Sequence, residues 1–109
     1  MRVFAVWEPI LPTDQARPLS FVLRRLSDLR VQQYWDPDHA LSDRLKKDAR
    51  PPQPAYECCE RRGHLWDLAA IYPPGATWTD RMPTATVFNG SVIDIADQIT
   101  AAVSAARPR

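Results

Sequence analysis

The chain has 109 residues, of which 45% are hydrophobic, and its formal net charge at pH 7 is +1. This length and apolar content fit one small globular domain. A charge so near zero lacks the basic field of a nucleic-acid-binding surface, and no apolar run approaches the length of a transmembrane helix. We therefore expect a cytoplasmic protein with a single domain at residues 1–106 and a C-terminal tail at 107–109, which binds neither nucleic acid nor membrane.

The first half of the chain predicts two strands and two helices. Val3–Trp7 is a short apolar run, typical of a strand that is buried on both faces. Residues 18–28 predict a helix, because their leucines and valine recur at the spacing of one helical face. Arg30–Trp35 predicts the second strand. A second helix follows, which Asp36 or Asp38 is suited to cap and which a pair of prolines ends.

The second half predicts a loop, two strands and a closing helix. Residues 51–64 form the loop, and the strands are Trp66–Tyr72 and Thr84–Phe88. Asn89-Gly90 is typical of a turn, and Val92–Ala106 has the pattern of an amphipathic helix. A helix joins the first two strands, so they should be parallel, and the last two can pair antiparallel. The order β-α-β-α-β-β-α predicts an α/β fold: a four-stranded mixed sheet with helices on both faces.

This order of elements resembles the thioredoxin fold, and two short segments share the resemblance. Phe4–Pro9 resembles the thioredoxin strand that ends in Trp and enters the redox loop, and Pro83–Gly90 resembles the Pro-Thr…Phe…Asn-Gly segment before the closing helix. The resemblance implies the scaffold but not the activity, because Glu8–Pro12 stands where thioredoxins carry Cys-x-x-Cys. We expect a divergent member of the thioredoxin-like superfamily that lacks this motif. Either Pro83 or the segment Gly63–Leu65 then takes the position of the thioredoxin cis-proline.

The only two cysteines, Cys58 and Cys59, are adjacent. The Cα atoms of neighbours across a trans peptide lie about 3.8 Å apart, closer than the roughly 4.4–6.8 Å between the Cα atoms of a relaxed disulfide. We therefore expect reduced thiols at rest, unless the pair is a switch or bonds between chains. Three hypotheses stay open for the pair. The cysteines pack as small hydrophobes; or they exchange disulfides or sense redox state, with Arg61 and Arg62 lowering the thiol pKa; or they bind a soft metal or metalloid with His64.

A second candidate site lies at the predicted carboxyl ends of the parallel strands, where open α/β sheets bind ligands. Glu8 follows the first strand, while Asp36 and His39 follow the second. Carboxylates and an imidazole suit a cation, although a helix cap also explains an aspartate there. An exposed Trp78 in a proline-rich loop suits a protein contact. The predicted binding surface is Trp7, Glu8, Pro9, Asp36, His39, Trp78 and Pro83.

The sequence thus favours a binding domain for an unknown protein or small molecule, with Cys58-Cys59 as a thiol handle and no bound cofactor. A thiol-disulfide oxidoreductase or redox sensor is the alternative that uses the same pair. Val31–Trp35 should lie at the edge of the sheet. An exposed edge strand invites pairing with a second copy, so a homodimer through this strand is a further hypothesis.

Overall fold

The computed structural model describes residues 1–11 and 15–106. The predicted tail at 107–109 lies outside the described residues. The chain divides into two compact units, Met1–Leu41 and Ser42–Arg109, and each is described by itself.

The first unit is built on a pair of parallel strands. Its elements are β1 (Val3–Trp7), α1 (Ser20–Leu23), a 3₁₀ turn (Arg24–Leu26), β2 (Val31–Trp35) and the start of α2 (Ala40–Asp48). Strand β1 pairs with β2 in parallel, with Val3 opposite Val31 and Trp7 opposite Trp35. The predicted parallel pairing through a helical crossover is confirmed, although the helix is shorter than predicted and ends in the 3₁₀ turn.

One face of this two-stranded sheet is open, so the expectation that β1 is buried on both faces is wrong. Phe4 is 56% exposed and Tyr34 is 51% exposed. Their ring centroids lie 6.3 Å apart on this open face. On the other face, the side-chain amide of Gln33 donates to the carbonyl of Leu23 at 2.7 Å. The helical crossover between β1 and β2 therefore covers the face of the sheet that carries Gln33 and leaves the face of Phe4 and Tyr34 exposed.

The second unit combines two antiparallel strand pairs with helices. Its elements are the rest of α2, β3 (Glu60–Arg61), β4 (His64–Leu65), β5 (Leu68–Ile71), β6 (Val87–Gly90) and α3 (Ala96–Ala105). Strand β3 pairs with β4, and β5 pairs with β6. The antiparallel pairing of the last two strands is confirmed, whereas the predicted loop at 51–64 contains the short strand β3 and the start of β4.

The predicted four-stranded mixed sheet of a thioredoxin-like fold is wrong. The described residues form three separate two-stranded sheets, β1–β2, β3–β4 and β5–β6. The predicted strand Trp66–Tyr72 is also shorter than expected: Asp67 has a left-handed backbone, with φ of 48°, and β5 begins only after it. The predicted turn at Asn89-Gly90 instead completes β6, and α3 begins at Ala96 rather than at Val92.

A small apolar core organises the second unit. Phe88 is 1% exposed, and it clusters with Leu65, Met82 and Ala85. Tyr56 meets Phe88 edge to face, with ring centroids 5.6 Å apart. Such a pair adds to the stabilisation that burial of the two rings provides.

Buried polar side chains tie α2 to this core. The hydroxyl of Ser42 accepts the Leu65 N–H at 2.8 Å. One carboxylate oxygen of Asp48 accepts the Met82 N–H at 2.9 Å and the Arg44 Nε–H at 2.9 Å. Burial raises the pKa of Asp48, but these two hydrogen bonds and the positive charges of Arg44 and Lys47 together outweigh it, so the pKa lies below its ordinary value.

Candidate functional site

Cys58 and Cys59 are joined as a vicinal disulfide, with Cα atoms 3.0 Å apart. The peptide bond between them is cis. Cys59 is buried, with 8% of its surface exposed, whereas Cys58 is half-buried. The expectation of a trans peptide is therefore wrong, and the two sulfurs are bonded to each other rather than present as reduced thiols.

The backbone on each side of the bridge is held by hydrogen bonds. The side-chain oxygen of Asn89 accepts the N–H of Glu57 at 3.0 Å and that of Cys58 at 3.3 Å. After the bridge, the carbonyl of Cys59 accepts the Trp66 N–H at 3.2 Å. The pair therefore lies in a loop that is fixed to β6 before the bridge and to the approach to β5 after it.

Gly90 makes room for the buried sulfur. A side chain at this position would place its Cβ 3.2 Å from Cys59 Sγ and would collide with the carbonyl of Asp67. Gly90 lies opposite Leu68 in the β5–β6 pair. The end of this strand pair thus forms one wall around the bridge.

Glu60, the residue after the bridge, interacts with a tyrosine and a lysine. The carboxylate of Glu60 accepts the Tyr56 hydroxyl at 2.6 Å and lies 3.5 Å from Lys46 Nζ. The hydrogen bond to Glu60, with burial adding to it, raises the pKa of Tyr56 to about 12. Arg61 and Arg62 are exposed. With the two sulfurs bonded to each other, no thiol remains in this state whose pKa these arginines lower.

The imidazole of His64 pairs with Asp43. Its Nδ1 lies 3.2 Å from a carboxylate oxygen of Asp43. Across residues 1–11 and 15–106, no three His, Cys, Asp or Glu side chains come together in a group that could hold a metal ion. The structure therefore gives Cys58, Cys59 and His64 no assembled ligand set.

In the first unit, Glu8 and His39 come together where β1 and β2 end. A carboxylate oxygen of Glu8 lies 3.4 Å from His39 Nδ1, and the side chains are 12% and 14% exposed. The carboxylate of Asp36 accepts the N–H groups of Ala40 at 3.0 Å and Leu41 at 2.9 Å. Asp36 therefore acts as a helix cap, and His39 is mostly buried rather than solvated in the first helical turn.

The remaining residues of the predicted binding surface belong to different units. In the first unit, the indole N–H of Trp7 donates to the side chain of Gln33 at 2.9 Å, and Pro9 is half-buried. In the second unit, Trp78 is 39% exposed and Pro83 is half-buried. Pro83 does not take the cis-proline role, because the cis peptides of the described chain lie elsewhere: Pro51–Pro52, Cys58–Cys59 and Gly90–Ser91.

The first unit also has a small open cleft with a cavity volume of about 30 Å³. Its walls include Trp7, Arg17, Leu23, Gln33 and Trp35. Sites for small molecules usually measure roughly 300–1,000 Å³, so this cleft is small for one.

Sequence reasoning missed Asn89, the side chain that holds the loop of the cysteine pair. An Asn-Gly dipeptide is a strong turn signal, and nothing local distinguishes an Asn that accepts hydrogen bonds from a segment 31 residues away. Only the folded chain brings the two together.

No family model matches the chain, and comparisons with curated proteins and with solved structures find no similar one. The resemblance of Phe4–Pro9 and Pro83–Gly90 to thioredoxin segments therefore stays a prediction. In the described part of the chain, every helix is too short or too polar to cross a membrane.

Proposed function

We propose that this protein is a redox-responsive binding protein, in which Cys58 and Cys59 change between a vicinal disulfide and a dithiol. The observation that carries the proposal is the bridge itself, in a loop that hydrogen bonds hold on both sides. In the reductive direction, a dithiol reductant supplies two electrons and two protons. The protein disulfide becomes two thiols, and the reductant becomes a disulfide.

The unequal burial of the two cysteines favours a sensor over an exchange enzyme. Cys58 is the more exposed, so an incoming thiolate attacks there and Cys59 leaves as a thiolate. That leaving group is buried beside Gly90, and burial raises the pKa of a thiol. A poor leaving group slows exchange, which suits occasional switching rather than rapid turnover.

The packing around the bridge couples its redox state to the local structure. When the bond breaks, the two sulfurs separate to van der Waals contact. Cys59 Sγ has the wall at Gly90 beside it, so the movement falls on Cys58. The N–H of Cys58 is bonded to Asn89, and this bond is therefore the first to change. We place the switch in the cytoplasm, where disulfides are usually transient and redox-sensing.

The test is a count of free thiols in protein equilibrated with graded ratios of reduced to oxidised dithiothreitol. Alkylation and intact-mass measurement should find no free thiol at the oxidising end and two at the reducing end. Near-UV circular dichroism should follow the same curve, because the loop contacts Trp66 and Asn89. The Cys58→Ser, Cys59→Ser double variant is the matched control and should show neither transition.

Two results would contradict the proposal. Two free thiols in every buffer, including the oxidising ones, would leave the cysteines as packing residues. Catalytic reduction of insulin disulfides by small amounts of the protein would identify an exchange enzyme rather than a sensor.

A further inference from the structure

Strand β2 has a backbone edge that faces away from β1. The N–H of Asp36 donates to the carbonyl of Trp7 at 2.8 Å, and the N–H of Val3 donates to that of Arg30 at 3.1 Å. Backbone groups alternate between the two sides of a strand, so residues in step with Arg30 and Asp36 face β1. The residues of β2 that direct their backbone groups away are Val31, Gln33 and Trp35.

Most of these outward groups make no hydrogen bond within the part of the chain that the structure describes. The N–H of Val31 donates to the carbonyl of Asp28 at 3.0 Å. No other residue that the structure describes bonds to the N–H groups of Gln33 and Trp35. The same holds for the backbone carbonyls of Val31, Gln33 and Trp35. A row of unpaired backbone groups is a template for another strand.

The side chains of β2 do not protect this edge. Natural edge strands usually carry Lys, Pro or an inward-pointing charge, and β2 reads Val-Gln-Gln-Tyr-Trp. Arg30, just before β2, has its charge paired with Asp28 at 2.7 Å. By contrast, β1 follows directly on the exposed cation Arg2, which makes its edge the less suited of the two.

We propose that a second copy of this chain pairs with β2 in antiparallel orientation, about a two-fold axis at Gln33. The sheet then runs in the order β1–β2–β2–β1. Gln33 of each copy exchanges N–H and carbonyl bonds with Gln33 of the other, and Trp35 N–H donates to the carbonyl of Val31. A two-fold axis makes one edge complementary to itself, which is why the occupant is a second copy.

The exposed side chains fit this register. Gln32 of one copy lies opposite Tyr34 of the other, and within one copy the Tyr34 hydroxyl already donates to the Gln32 side chain at 3.0 Å. The axis is perpendicular to the sheet, so both copies present Phe4 and Tyr34 on the same face. The exposed aromatic pair then becomes part of one wider apolar face. Because the paired strands are short, the dimer should be weak and concentration-dependent.

Sedimentation equilibrium over a range of concentrations tests the dimer with charged variants. The double variants Q32K/Y34K and Q32E/Y34E each set like charges opposite each other in the dimer. Because like charges in this position repel, each variant alone should be monomeric. An equimolar mixture sets opposite charges together and should restore the dimer. Both positions are exposed, so the fold of the single copy should tolerate the changes. The matched control is F4K, which adds a charge to the same face on β1 and should leave the dimer intact.

Hydrogen exchange locates the edge that pairs. The amides of Gln33 and Trp35 should become protected as the concentration of the unmodified protein rises, while those of Phe4 and Val6 on the outer edge of β1 should not. A chain that stays monomeric throughout would overturn the proposal. So would protection at Phe4 and Val6 instead, or a dimer that Q32K/Y34K leaves unchanged.

Discussion

Truncation of Phe88 to alanine tests whether this ring is the centre of the core in the second unit. Phe88 is 1% exposed, and its ring meets that of Tyr56 at a centroid distance of 5.6 Å. Removal of a buried Phe side chain costs about 3–5 kcal/mol, because the lost transfer free energy and the cavity add. Loss of the aromatic pair accounts for about 0.5–1.5 kcal/mol of this cost. Domains of this kind are stable by only about 5–15 kcal/mol, so Phe88→Ala should remove a large part of the free energy of unfolding.

Urea denaturation, followed by far-UV circular dichroism, measures this cost. Phe4→Ala is the matched control, because Phe4 is 56% exposed and its truncation should change the free energy of unfolding by less than about 1 kcal/mol. Phe88→Leu keeps most of the apolar volume and should fall between the two. If Phe88→Ala costs no more than Phe4→Ala, the core does not depend on this ring, and the reasoning fails.

Two further predictions concern carboxylates. Asp36→Ala removes the cap of α2 and should lower the free energy of unfolding, measured by thermal denaturation, by about 1 kcal/mol. Asp38→Ala removes an exposed neighbour and should be nearly neutral. Equal effects of the two variants would contradict the role of Asp36 as a cap. The pKa of Asp48 lies below its ordinary value, so its contribution is present above the unfolded pKa, about 3.9, and is lost as pH falls through the folded pKa. Urea denaturation at stepped pH should therefore show a steeper acid loss in the unmodified protein than in Asp48→Asn, and parallel curves would contradict this.

The two strands of the first unit, their pairing and the cap of α2 could be predicted from the sequence. The apolar run Val3–Trp7 is β1 at the predicted bounds, and Val31–Trp35 differs from the prediction by one residue. Their parallel pairing follows from the helical crossover, and the cap by Asp36 follows from an aspartate just before a helix. These features depend on contacts between near neighbours or on rules of chain connection.

The features that the sequence could not predict depend on distant contacts. Whether two strand pairs join into one sheet is decided by packing across the whole chain, and here they remain separate. The sequence also carries no signal that Asn89 would extend β6 and accept hydrogen bonds from the loop at Cys58. The sequence does not predict the disulfide either, because a trans peptide is the default for any bond that does not precede proline, and the Cys58–Cys59 bond is cis.

The bridge between Cys58 and Cys59 joins residues that are already neighbours in the chain. An ordinary disulfide stabilises a protein largely by restricting the unfolded ensemble, and in that account the effect grows with the length of the loop it closes. A bridge between adjacent residues closes no loop of the chain, so it removes almost no conformational entropy from the unfolded state. Forming or reducing the bridge should therefore leave the free energy of unfolding nearly constant. The redox state then affects only the local structure around the two cysteines.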